Sequence, residues 1–159
     1  MIVPDVNLLI HAYNTDSPDH SLARAWWEEN LNLRRPIGLA WVALVGFIRL
    51  ATNRAVLTRP LEVAAVLSVV RSWLEQPAVR ILIPGERHGE TLFRLLEEAG
   101  TAGNLTTDAH LAALAMEYRA EIASTDTDFA RFRGLRWFNP LARPRRGPGR
   151  EPGRGNYAP

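Results

Sequence analysis

The chain has 159 residues, 47% of them hydrophobic and 23% charged, a composition that fits one domain with a substantial core and is too apolar for a disordered protein. It contains no cysteine and no lysine, which excludes disulfides, thiolate metal sites, Schiff-base chemistry and a Walker-type phosphate loop. The net charge of +2 is unevenly spread: five arginines and one acid, Glu151, lie beyond Leu141, whereas the remainder carries 14 arginines against 16 acids.

At the amino end, the apolar pair Ile2-Val3 closed by Pro4 predicts a buried strand that delivers Asp5 to the edge of a sheet. Asn7 is a candidate N-cap for a helix from Leu8 to Tyr13, and Ser17, with Pro18 in the first turn, for a helix reaching about Leu31. Trp26 and Trp27 are adjacent and cannot both face one core. Ile37-Gly38-Leu39 predicts a second strand, and Trp41 to Thr52 a helix apolar on nearly every side and therefore well buried. Arg49 on that helix calls for an anionic partner, unless its stem carries the charge to the surface.

A loop from Asn53 to Arg59 precedes a helix opened by Pro60 and ending near Glu75. Val79 to Ile83 reads as a strand closed by Pro84-Gly85, followed by a helix from about Glu86 to Ala99, a turn at Gly100 to Gly103 and a helix from Thr106 to Arg119. Glu121 to Ser124 and Leu135 to Phe138 predict the last strands. Alternation of strands and helices implies a single α/β domain, three layers deep, around a mainly parallel sheet. That domain is expected over residues 1–141, with residues 142–159 a flexible extension rich in Arg, Pro and Gly. This extension is either a solvated appendage or an attractor of RNA phosphates. The amino terminus has no basic region leading an apolar core, and the run from Ile37 to Ile48 is too short to span a bilayer, so a cytoplasmic protein without membrane contact is expected.

Chemistry is expected where the aspartates gather. The chain holds six, and four of them, Asp5, Asp108, Asp126 and Asp128, fall after predicted strands or at the opening of a helix. Functional groups of a parallel sheet collect outside the carboxyl ends of its strands, so all four can share one rim. Clustered carboxylates repel unless protonated or bound to a cation, and an all-oxygen site favours Mg²⁺ or Mn²⁺. Three of these acids also have an ordinary role: Asp5 as a helix cap, Asp108 as a first-turn charge, Asp128 as a turn residue. His110 points away from Asp108 around the helix, and a lone histidine is more often structural than a ligand. Trp41, Phe47 and Trp73 are expected in the core or in subunit contacts.

Three motifs, Asp5-Val6-Asn7-Leu8-Leu9, Asp108-Ala109-His110-Leu111-Ala112-Ala113-Leu114-Ala115 and Ser124-Thr125-Asp126-Thr127-Asp128-Phe129, resemble those of the PIN-domain nucleases, above all the toxin members of VapBC toxin–antitoxin pairs. The resemblance implies Mg²⁺- or Mn²⁺-dependent hydrolysis of single-stranded RNA by an endoribonuclease that inhibits translation and growth, restraint by a VapB-like antitoxin, and a homodimer. It assigns catalysis and metal binding to Asp5, Asp108 and Asp126 with Asp128 nearby, and supporting roles to Asn7 and Thr125. One departure stands out: many of these nucleases carry a further acid where this chain has Gly46, and no acid occurs from Asn30 to Leu61. The departure motivates a rival expectation, a catalytically degenerate PIN fold that binds RNA or protein without cutting. A phosphoaspartate receiver or phosphatase is a third possibility, weakened because both recruit a lysine.

Overall fold

A computed structural model describes residues 1–142; the expected extension, apart from its first residue, lies outside the described residues. Five strands, β1 (Ile2–Pro4), β2 (Ile37–Ala40), β3 (Val79–Leu82), β4 (Glu121–Ala123) and β5 (Trp137–Phe138), form one sheet in the order β3-β2-β1-β4-β5, every pair parallel. Six helices flank it: α1 (Val6–Tyr13), α2 (His20–Asn32), α3 (Trp41–Ala51), α4 (Val63–Leu74), α5 (His88–Ala99) and α6 (Leu105–Glu117). The expected three-layer α/β domain is therefore present. β1 lies at the centre, and the strand order reverses between β1 and β4, so a crevice opens where the chain leaves these two strands.

Alternation along the strands divides the interior. Ile37 and Leu39 face a core shared with α1, α2, α3 and α4, whereas Val3, Ala40, Leu82 and Ile122 face one shared with α5 and α6. The first core is aromatic: Trp73 packs 4.8 Å from Phe47, 5.3 Å from Trp27 and 5.5 Å from Tyr13, ring centre to ring centre, and its indole N–H donates to the Tyr13 hydroxyl. The second core is built from small residues: Ala109, Ala112, Ala113 and Ala115 are fully buried, letting the α6 backbone lie close to the sheet. Of the adjacent tryptophans, Trp27 is buried and Trp26 only partly so.

Several local expectations are corrected. Asp5, not Asn7, caps α1: its carboxylate accepts from the Val6 N–H at 2.7 Å, and the helix begins one residue earlier than Asn7. Asp19 occupies the N-cap position of α2, and Ser17 instead turns the preceding loop by accepting from the Asp19 N–H. Pro60 does not open α4, because Leu61 is held by its N–H to the Ala51 carbonyl and Glu62 stays extended. α3 is not buried all round: Trp41, Val45 and Arg49 recur every fourth residue along one exposed stripe. Phe47 and Trp73 lie in the core as expected, while Trp41 is 56% exposed. Gly100 ends α5 at φ +69°, the left-handed conformation glycine adopts without cost. No helix among the described residues is long and apolar enough to cross a membrane.

Candidate functional site

The crevice between β1 and β4 receives both strand ends. Hydrogen bonds to the sheet carry the chain directly into it, with the Asp5 N–H donating to the Ala123 carbonyl at 2.9 Å. Asp5 is only 5% exposed, and both of its carboxylate oxygens are engaged. Oδ1 takes the Val6 N–H at 2.7 Å, and Oδ2 takes the hydroxyl of Ser124 at 2.8 Å. Ser124 is itself fully buried and accepts the Asp126 N–H at 2.9 Å. One hydroxyl thus ties the acid after β1 to the acid after β4. Asp126 then caps the short 3₁₀ turn Thr127–Arg131, its Oδ1 accepting the Asp128 N–H at 2.8 Å.

Asp108 enters from the first turn of α6. It is half-buried, and among the described residues neither of its oxygens accepts a hydrogen bond and no cation pairs with it. Burial, reinforced by the charges of Asp5, Asp126 and Asp128, pushes its carboxyl up to about 6. Burial likewise raises Asp5, against the opposing pull of the Ser124 and Val6 hydrogen bonds and with the Asp126 charge adding to the rise. Asp108 thus lies within electrostatic reach of the other three aspartates. Among the described residues, Asp128 alone of the four has a paired cation, Arg131 at 3.7 Å.

Asn7 lies in the first turn of α1, partly exposed, with no side-chain hydrogen bond among the described residues. Thr125, expected to support the acids, is partly exposed and its hydroxyl is unpartnered among the described residues; Ser124, one position earlier, makes the supporting bonds. The sequence did contain a signal for Ser124, since a hydroxyl at the last buried position of an apolar strand must find a polar partner. Arg49 is exposed rather than buried and makes no ion pair among the described residues. It lines a cleft of about 220 Å³ with Val6, Val42, Val45, Gly46 and Thr107, immediately beside Asp5 and Asp108 in the chain. A Cβ on Gly46 would come within 3.2 Å of Val6 Cγ2, so a larger residue here would push against the turn that carries Asp5.

His110 is not alone. Its Nδ1 lies 2.8 Å from Nε2 of His88, whose Nδ1 lies 2.6 Å from Glu117, and Glu117 also accepts the Gly85 N–H at 2.8 Å. Burial, with the neighbouring His88 adding, lowers His110, while Glu117 opposes the change. The seven-residue spacing of His110 and Glu117 places both on one face of α6, which the sequence allowed to be read. This chain of polar groups fixes the loop before α5 to α6.

The donor set of the crevice is oxygen only, and among the described residues only Arg131, beside Asp128, is paired with its negative charge, which suits a hard divalent cation. No three Asp, Glu or His side chains among the described residues stand together closely enough to hold one ion between them. Mg²⁺ needs no such cage, since it binds through one or two carboxylates and keeps several waters.

The profile of the PIN domain matches residues 2–135. The chain is similar to Ribonuclease VapC33 of Mycobacterium tuberculosis, with 50% identity over 141 residues that cover 89% of this chain and 99% of that protein. Its identity to Ribonuclease VapC37 of the same organism is 44% over 142 residues, covering 89% of this chain and 99% of the relative. Among solved structures it resembles VapBC-1 from nontypeable Haemophilus influenzae, with a TM-score of 0.63 and 17% identity over 89% of this chain and 100% of that one. At that identity the likeness shows the fold alone.

Proposed function

The chain belongs to the PIN-domain family as a VapC-type ribonuclease, the toxin of a type II toxin–antitoxin system, and from that premise we propose that Asp5, Asp108 and Asp126 form a Mg²⁺- or Mn²⁺-dependent centre for endonucleolytic hydrolysis of RNA. The observation that carries this reading is the charge around Asp108, unpaired among the described residues, whose carboxyl is raised to about 6 by burial and by the charges of Asp5, Asp126 and Asp128. Asp108 and the Oδ2 of Asp126 are the groups with free lone pairs to offer an ion, and Asp128 stands by. Asp5, held on both oxygens, supplies fixed negative charge and its remaining lone pairs. A divalent ion bound there supplies activation of a water and stabilisation of the charge that develops on a phosphodiester. Ser124 sets the spacing of Asp5 and Asp126, and the raised Asp108 must lose its proton before it can bind a cation.

Arg49, at the mouth of the neighbouring cleft, is suited to a substrate phosphate because no acid among the described residues pairs with it. The exposed Trp41 and Val45 on the same stripe offer apolar area to a VapB-like antitoxin, which would then cover the approach to the acids. Homodimerisation belongs to the same reading, as does a nuclease domain ending near residue 141 with the arginine-rich extension outside it. Isothermal titration with Mn²⁺, run beside an RNA cleavage assay, tests the centre. The parent should give a binding heat and cut RNA only with the ion present, while Asp126→Asn should lose both and keep its circular dichroism spectrum. Cleavage that persists in EDTA would refute the metal.

A further inference from the structure

The opposite rim of the sheet, where the chain enters its strands, carries charge of the other sign. A cleft of about 610 Å³ opens there between the end of α6 and the turn before β5, lined by Arg94, Arg119, Arg133 and Arg136 with Met116 and Gly134 between them. Arg94 is paired with Glu98 at 3.2 Å, but Arg119, Arg133 and Arg136 make no ion pair among the described residues, and all three are exposed. Arg136 is held in place by donating to the Arg119 carbonyl at 2.5 Å, so its guanidinium does not swing freely in solvent. Arg119 itself sits at φ +51°, a left-handed turn that carries the chain from α6 toward β4 past this cleft. On the same rim, a neighbouring cleft of about 500 Å³ is lined by Arg34, Arg80 and the first residue, Met1.

Several guanidinium groups facing one concavity repel one another until an anion arrives, and their planar forks match phosphate oxygens. The cleft adjoins, past Arg94 and Met116, a second of about 320 Å³ that reaches Arg87, Thr91 and Glu117; there Arg87 is paired with Glu90 and Glu117 with His88, so the unpaired arginines are those of the first cleft. A groove with several unpaired arginines fits a chain of phosphates better than a single anion. α6 has 13 residues and so spans about 20 Å, with Asp108 in its first turn and Arg119 just beyond its last. One folded RNA can therefore touch both ends of this helix.

We propose that the arginine groove formed by Arg94, Arg119, Arg133 and Arg136 binds backbone phosphates of the RNA substrate away from the scissile bond. The proposal rests on the reading of the chain as a ribonuclease, and its test is arranged so that the two can fail separately. The full-length Asp126→Asn protein, which leaves RNA uncut, is titrated with a labelled RNA hairpin carrying a single-stranded arm at several salt concentrations. The same titration is run with Arg119→Asn and Arg133→Gln added; Arg136 is left alone because it supports the backbone.

Loss of two phosphate contacts should weaken binding and lower the slope of log affinity against log salt by about 1.4 to 1.8. With Asp126 restored, the same pair should raise KM for the hairpin and leave kcat unchanged, with an unchanged melting temperature. Unaltered affinity and slope would overturn the proposal and leave the groove to an acidic protein partner. Loss of inorganic triphosphate binding with RNA affinity intact would also overturn it, assigning the groove to a small phosphate compound. Failure of the parent chain to cleave RNA would instead strike the ribonuclease reading, and the binding titration would still report on the groove.

Discussion

The two rims of the sheet are built from the same parallel strands and have opposite chemistry. Where the strands end, Asp5, Asp108, Asp126 and Asp128 have, among the described residues, no arginine paired with them except Arg131 beside Asp128. Where the strands begin, Arg34, Arg80, Arg119 and Arg136 line clefts and make no ion pair among the described residues. The net charge of +2 conceals this separation. Charges that could have cancelled within the fold are kept apart, and each rim is left with an unmet demand for an external ion of the other sign.

The largest effect should come from breaking the acidic rim outright. Asp5→Ala or Asp126→Ala should lower RNA cleavage by at least about 10³-fold, since metal-assisted charge stabilisation is worth several kcal/mol. A gel assay across a Mn²⁺ series checks this, and activity within tenfold of the parent would remove the residue from the centre. Next comes Ser124→Ala, which leaves all four acids in place but unties Asp5 from Asp126. It should cost about 10- to 100-fold, chiefly as a higher Mn²⁺ requirement, whereas Thr125→Val should cost far less.

Asp108→Asn sharpens the comparison because it separates function from stability. The folded-state carboxyl titrates at about 6 against an ordinary 3.8, so the folded chain holds this proton more tightly than the unfolded chain does. The resulting stability cost is absent below about pH 4, grows as pH rises toward 6 and is constant above. In EDTA, Asp108→Asn should therefore melt higher than the parent at neutral pH, with the gap closing toward pH 4. Added Mn²⁺ should narrow the gap from the other side by binding the parent.

The smallest effect on cleavage is expected at the polar contact between α5 and α6. His88→Ala leaves Glu117 and His110 without their partner and should destabilise the fold by about 1–3 kcal/mol, visible in urea unfolding, with kcat nearly unchanged.

Much of this was legible before the fold was known, because it depends on local pattern. Short apolar runs marked the strands, helical periodicity marked what lies between them, and alternation of the two implied a parallel sheet. That inference carried Asp5, Asp108, Asp126 and Asp128 to an expected common rim, and the motif resemblance added their assignment to catalysis and metal binding. What escaped was decided by three-dimensional neighbours. Ser124 and Thr125 are adjacent hydroxyls, and only the pleat of β4 determines which one turns toward Asp5. The exposed stripe of α3 is apolar in sequence, so its composition suggested burial. His88 and His110 are 22 residues apart, and their contact exists only because α5 packs back along α6.

The bond from Ser124 to Asp5 joins positions 119 residues apart. While such a chain is being synthesised, its first strand leaves the ribosome with its eventual neighbour still unmade, an interval of roughly 6 to 24 s at about 5–20 residues per second. A nascent fragment that ends before β4 consequently lacks the hydroxyl that ties the first acid to the later one, and the acidic rim is assembled only when that strand slots in beside the first.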